Sequence, residues 1–233
     1  MIRTSLTRTS VLLTTVVFDV GETLVDETRQ WATWAAWLGV PEFTLYGVLG
    51  GLAATGRDHR EFVPLLKPGA TFEDECAAKE SAGHGWASLG PPDLYQDVAA
   101  CLEALRADSW RIVVGGNQPA AFERLVEQLD LPVDLVTSSG SLGTEKPAAA
   151  FYEGVAGLAG VTTQQCVHVG DRIDNDLVGA REAGMSVVHL RRGPWGVLHG
   201  HLAAEHGVPQ ITSLAELPSL LAALRTDRGP GAS

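Results

Sequence analysis

Four short stretches of this 233-residue chain hold side chains whose types and spacing could do chemistry. In Val16-Val17-Phe18-Asp19-Val20-Gly21-Glu22-Thr23-Leu24, an apolar run reads as a buried strand, and a turn at Gly21 leaves Asp19 at its carboxyl end. Open parallel α/β sheets bind ligands at that end, so Asp19 is either a catalytic group or the cap of the next element. In Ile112-Val113-Val114-Gly115-Gly116-Asn117, the glycines either leave backbone N–H groups open to an anion beside a helix start or simply make a turn. In Gly143-Thr144-Glu145-Lys146-Pro147, Lys146 is one of three lysines against fourteen arginines. It is a compact charge able to neutralise a phosphate or a reactive carboxylate, or else an ordinary surface lysine. In Val167-His168-Val169-Gly170-Asp171-Arg172-Ile173-Asp174-Asn175-Asp176, a strand runs into an acid-rich turn. Such oxygen ligands suit magnesium, although Asp176 could instead cap the next helix.

Chemistry at these four places requires that their strands lie side by side, and the texture of the chain predicts this. From Asp93 onward helix and strand alternate. Helices are expected at Leu94 to Ala107, Pro119 to Asp130, Pro147 to Leu158, Asn175 to Ala183 and Leu214 to Leu224. Strands are expected at Trp110 to Gly115, Val133 to Thr137, Cys166 to Gly170, Ser186 to Leu190 and Gln210-Ile211. This alternation predicts an α/β fold, a doubly wound Rossmann-like parallel sheet with helices on both faces. Between the first strand and Gly90-Pro91-Pro92 the pattern is helical, with helices expected at Glu42 to Ala54 and Phe72 to Ser88 and looser structure around Pro64 and Pro68. Trp31, Trp34 and Trp37 recur every three residues and read as the core of an inserted helical subdomain. The expected division is a core of residues 11–23 plus 93–225, a helical cap of 24–92, and disordered tails at 1–10 and 226–233.

Taken in order, the four stretches resemble the motifs of the haloacid dehalogenase superfamily, over nearly the whole chain: Phe18 to Leu24, Gly116-Asn117, Lys146-Pro147, and Gly170-Asp171 with Asn175-Asp176. Gly179-Ala180-Arg181-Glu182-Ala183-Gly184-Met185 is also typical of that family, and the insertion resembles its first type of helical cap. The resemblance implies a Mg²⁺-dependent phosphatase for a small phosphorylated metabolite. Asp19 would be the nucleophile that forms an aspartyl-phosphate, with Lys146 screening it. Gly115, Gly116 and Asn117 would bind substrate, and Asp19, the Gly21 carbonyl, Asp171 and Asp176 would hold the metal.

Two positions depart from the family pattern. Its phosphatases place a second aspartate two residues after the nucleophile, where this chain has Gly21. General acid–base help is worth about 10² to 10⁴ in rate, so the departure predicts a slow phosphatase or one using another acid. Asp26, Glu27 and His59 are candidates, and Glu22 should point elsewhere. A hydroxyl of the second motif is replaced by Gly116, which removes one hydrogen bond to phosphate. Metal-free hydrolysis of a 2-haloacid is an alternative that leaves Asp171 and Asp176 without a role. A catalytically reduced binding protein is another.

Composition bounds these readings. A net charge of −11 and a pI near 5.0 argue against nucleic-acid or anionic-membrane partners and favour a small substrate. No stretch has the length of a membrane span. Arg3 and Arg8 ahead of Val11-Leu12-Leu13 loosely imitate a secretory leader, but the run continues into Asp19, and a polar tail leading into a strand is expected. Cys76, Cys101 and Cys166 read as buried thiols in a reducing cytoplasm. His199, His201 and His206 are expected in surface or capping roles, and Arg191-Arg192 as a solvated pair. A monomer or homodimer fits equally.

Overall fold

The computed structural model describes residues 11–84 and 89–226, so the expected tails at 1–10 and 226–233 lie, but for Thr226, outside the described residues. Six strands form one parallel sheet: β1 (Thr15–Phe18), β2 (Arg111–Gly116), β3 (Leu135–Ser138), β4 (Cys166–Gly170), β5 (Ser186–Leu190) and β6 (Gln210–Ile211). Their spatial order is β3-β2-β1-β4-β5-β6, and every pairing is parallel. β1 therefore lies between β2 and β4, where the strand order reverses and a crevice opens beyond the carboxyl ends. Asp19 follows β1 and Asp171 follows β4, one on each side of that crevice.

Both faces of the sheet are covered, which is why its strands are continuously apolar. Val16 and Phe18 pack with Val98, Leu102, Leu105, Leu217 and Leu221 on one side. Val17 and Val113, of opposite alternation, meet Phe151, Tyr152 and Val155 on the other. The covering helices are α5 (Val98–Ala107), α6 (Ala121–Glu127), α7 (Ser139–Leu142), α8 (Ala149–Leu158), α9 (Gly179–Glu182), α10 (Gly193–Glu205) and α11 (Leu217–Thr226).

Between β1 and α5 the chain forms α1 (Thr28–Leu38), α2 (Glu42–Ala54), α3 (Phe62–Leu66) and α4 (Phe72–Ser81), an inserted helical unit with its own core. The tryptophan stripe behaves as its spacing predicts. Trp34 is buried and lies 5.2 Å from Phe62 and 5.6 Å from Phe72, centroid to centroid, while Trp31 meets Phe62 edge-on at 5.7 Å. Pro64 does not loosen its segment as expected, because it falls in the first turn of α3, where no helical N–H is required. α4 stops at Ser81, before Gly83 in the left-handed region, and the rest of the expected helix, residues 85–88, lies outside the described residues.

Other boundaries differ from expectation for identifiable reasons. α5 starts at Val98 instead of Leu94, since Leu94 bridges Val25 and the Tyr95 N–H donates to the Leu24 carbonyl. Thr226, expected to open the tail, still belongs to α11. Residues Ile173–Val178 wind as a π-helix before α9, a form often found at functional sites. α10 has no counterpart among the expected helices, because Gly196 and Gly200 lower its helix propensity and its apolar residues show no single-faced period. Cys101 and Cys166 are buried as expected and Cys76 is half-buried; all three are free thiols. Among the described residues no helix is long and apolar enough to cross a membrane.

Candidate active site

Asp19 leaves the end of β1 into a turn whose amides return to one acceptor: the N–H groups of Thr23, Leu24 and Val25 all donate to the Val20 carbonyl. Glu22 takes a positive φ of 53° there. Its carboxylate is engaged on both oxygens, by the Glu27 N–H at 3.1 Å and the Tyr95 hydroxyl at 2.5 Å.

Lys146 is 4% exposed, and its ammonium donates to both Asp19 and Asp176, the latter at 2.6 Å. Against burial, which would lower it, the Asp176 and Asp19 charges hold the lysine above its ordinary value, so it stays cationic. The β2 loop fixes it in place. Asn117 Oδ1 accepts the Lys146 N–H at 2.8 Å, and Asn117 Nδ2 donates to the Lys146 carbonyl at 2.9 Å, across a cis Lys146-Pro147 peptide. Gly115 and Gly116, expected to bind substrate with Asn117, are the last two residues of β2. β2 runs on to Gly116, where the two glycines pair with Thr137 and Ser138 and are buried against Val155 and Val20. Asn117, Gln118 and Pro119 line the cavity from this loop, and neither glycine does.

Asp19, Asp171 and Asp176 each present a carboxylate oxygen within 4.8 Å of the others. Asp176 also accepts from buried His168 at 3.0 Å and from the Arg172 N–H at 3.0 Å. These bonds and Lys146 outweigh burial and keep its carboxyl well below the ordinary range. Asp171 is pushed well above it by burial and by the Asp176 and Asp19 charges. Burial and Asp176 also raise Asp19, with Lys146 pulling back. Three carboxylates against one ammonium leave two formal negative charges in a closed space. A hard divalent cation is the partner such an oxygen set fits. The side chains of Asp19, Asp171 and Asp176 account for this grouping.

The acids sit on the floor of a cavity of about 520 Å³. Its far wall comes from the inserted helices, through Glu27, Trp31, His59, Arg60 and Phe72. Of the three candidate proton carriers, Asp26 accepts the Thr28 N–H at 2.9 Å and serves as a cap. His59 faces Arg172 Nη1 at 3.0 Å and is held down at about 4, first by burial and then by that cation. Glu27 lies over Gly21 and is pushed up to about 8 by burial and by the Glu22 and Asp19 charges.

Two residues near the site escape sequence reasoning. Trp195, on α10, joins the core of the inserted unit and stacks under the Arg172 guanidinium at 4.9 Å. His199, expected at the surface, is buried: its Nδ1 accepts the Ile173 N–H at 3.4 Å and its Nε2 meets the Ala53 carbonyl at 3.2 Å. Nothing in a glycine-rich segment signals either. Arg192, expected to be solvated, pairs with Asp97 and stacks on Tyr95 at 4.0 Å.

A sequence profile of haloacid dehalogenase-like hydrolases matches residues 13–184. The chain belongs to that hydrolase family. Among curated members, a glyceraldehyde 3-phosphate phosphatase from Methanopyrus kandleri is 31% identical over 145 residues, 60% of this chain and 62% of that one. A phosphoglycolate phosphatase from Colwellia psychrerythraea is 30% identical over 103 residues, 43% of this chain and 45% of that one. The chain thus spans less than two thirds of the length of these relatives. In fold it resembles a phosphatase of the family from Thermococcus onnurineus, with a TM-score of 0.55 at 20% identity over 90% of this chain and 98% of that one. It also resembles a 2-haloacid dehalogenase from Pseudomonas syringae, at 0.53 and 23% over 91% and 100%.

Proposed function

We propose that this hydrolase is a Mg²⁺-dependent phosphatase for a small phosphorylated metabolite, with Asp19 as nucleophile. The observation that carries the reading is the buried grouping of Asp19, Lys146, Asp171 and Asp176 at the switch point of the sheet, inside a cavity of about 520 Å³. Relatives named for small phosphate esters support the substrate class.

Residues 11–23 and 93–225 form the catalytic core in this reading, and residues 24–92 a cap that closes the cavity and selects the substrate. An Asp19 oxygen attacks phosphorus, the bond to the leaving oxygen breaks, and an aspartyl-phosphate results; water then attacks its phosphorus and releases Asp19 and phosphate. Lys146 orients Asp19 and offsets charge on the transferring group, which is the main need of a loose transition state. Asp19, Asp171 and the Gly21 carbonyl would hold Mg²⁺, with Asp176 in support, and the ion when bound supplies further charge neutralisation. Asn117 positions Lys146. Metal-free carbon–halogen hydrolysis would leave Asp171, whose carboxyl is pushed up by burial and by the Asp176 and Asp19 charges, without a role, which disfavours it.

Phosphate release from a panel of phosphorylated metabolites, with and without Mg²⁺, tests the reading. Asp19→Asn is expected to abolish release while the protein stays folded; release that survives this change, or chelation, overturns it.

A further inference from the structure

The family pattern needs a carboxyl beside the nucleophile, and position 21 has no side chain to provide one. The space that such a side chain would occupy is nevertheless filled. A Cβ built on Gly21 would lie 2.6 Å from Glu27 Oε1, 2.7 Å from Glu27 Cδ and 2.9 Å from Glu27 Oε2. The glutamate's carboxyl therefore lies in the volume into which an aspartate at position 21 would project its own. It arrives from the first residue before α1, six positions along the chain, and it lines the same cavity as Asp19.

The position of Glu27 is fixed by its surroundings. Its N–H is held by Glu22 Oε1 at 3.1 Å, and Glu22 is anchored in turn by Tyr95. Its carbonyl accepts the Trp31 N–H at 2.9 Å, the first bond of α1. The turn that leaves position 21 without a side chain is thus the turn that aims Glu27 at the same place.

We infer that Glu27 is the proton-transfer residue of this active site, a carboxyl supplied from the start of the inserted helices in place of one carried by the nucleophile loop. The assignment rests on the phosphatase reading above. As the Asp19 oxygen bonds to phosphorus and the ester P–O bond breaks, the Glu27 carboxylic acid gives its proton to the leaving oxygen, which departs as an alcohol. In the second step the Glu27 carboxylate takes a proton from the attacking water. The new oxygen–phosphorus bond displaces the Asp19 oxygen, and phosphate, the Asp19 carboxylate and protonated Glu27 result. Because Glu27 belongs to the inserted unit, proton delivery requires that unit to be seated on the core.

Leaving-group release in the first turnover tests this with two esters, an alkyl phosphate whose leaving oxygen needs a proton and 2,4-dinitrophenyl phosphate whose leaving oxygen does not. Glu27→Gln is expected to slow alkyl release by about 10² or more and dinitrophenolate release by less than tenfold, with the half-activating Mg²⁺ concentration unchanged. Placing a carboxyl back on the loop, in Gly21→Asp/Glu27→Ala, is expected to recover alkyl release relative to Glu27→Ala. Equal losses on both esters, no loss on either, a shift in Mg²⁺ requirement or absence of recovery in the double variant overturns the assignment while leaving the phosphatase reading intact. Failure of the wild-type protein to release phosphate from any ester overturns both.

Discussion

Asn117 and Lys146 exchange two hydrogen bonds, side chain to main chain in each direction, at 2.8 and 2.9 Å. The asparagine at the end of β2 thereby spends its polar groups on positioning another loop, and the ammonium that meets Asp19 inherits its place from a strand two away from β4. Removing the amide takes away two bonds worth about 1 kcal/mol each and frees the lysine loop. Asn117→Ala is expected to lower turnover by about 10² through misplacement of Lys146. The corresponding loss in chemical-denaturation stability should be no more than about 3 kcal/mol, and measuring both quantities separates positioning from folding.

Metal binding should be visible without turnover. A cation that binds only the folded state stabilises it by about 2.7 kcal/mol at one hundred times its dissociation constant, which is several degrees in melting temperature for a chain of this size. Mg²⁺ is expected to raise the melting temperature, and a chelator to reverse the rise. Asp171→Asn should abolish the response. Since the Asp171 carboxyl is raised well above its ordinary value by burial and neighbouring acids, its ionised form costs stability in the metal-free protein. The asparagine variant is therefore expected to melt no lower than the wild type when metal is absent.

Gly170 has no room for a methyl group. A Cβ there would lie 2.3 Å from Asp176 Cγ, and Asp176 is held by Lys146, His168 and the Arg172 N–H. Gly170→Ala is expected to cost about 1–3 kcal/mol as overpacking and, by displacing Asp176 and with it Lys146, to cut turnover by a larger factor. Comparing its unfolding free energy with its turnover would show whether the site moves further than the fold weakens. A wild-type rate in the variant would contradict the geometry.

His199 joins α10 to α2 and is expected to give the seating of the inserted unit a pH dependence. Burial holds its pKa below the ordinary 6.5, despite the bond to Ala53, so the folded state favours the neutral ring. The stability it contributes is present above pH 6.5 and declines as pH falls through the folded value, at most about 1.4 kcal/mol per pH unit for one proton. Amide protection factors in α2 and α10, with the intrinsic pH dependence of exchange divided out, are expected to fall between pH 7 and 5. In His199→Ala, protection should be lower at pH 7 and change less over that interval.

Residues whose environment is local can be read from the sequence. β4, β5, β6 and α2 have the expected limits, because short apolar runs bounded by turns, and a helical run that starts behind a proline, carry their own stops. Asp19 and Asp171 stand just beyond strand ends, Lys146 in the loop before α8 and Asp176 in the π-helical turn after β4, and the parallel sheet brings their side chains together. Gly115 and Gly116 are ambiguous in the sequence, because glycines at the end of a strand look alike before their packing against Val155 and Val20 is seen. Asp26, Glu27 and His59 cannot be ranked by residue type. Their difference is tertiary: one caps a helix, one faces Arg172, and one covers Gly21. α10 is hidden because its helix is supported by contacts to the inserted unit and not by its own periodicity.

Those contacts bear on modular exchange. The inserted helices leave and rejoin the core near Asp19, yet Trp195 and His199 attach them to a helix from the far end of the chain. A chimera that replaces only residues 24–92 would strand an indole beneath a foreign surface and leave His199 without its carbonyl partner. An exchange is expected to need a discontinuous piece, the insertion together with Gly193–Glu205, and under the proposed role of the cap substrate preference should travel with the pair more faithfully than with either part.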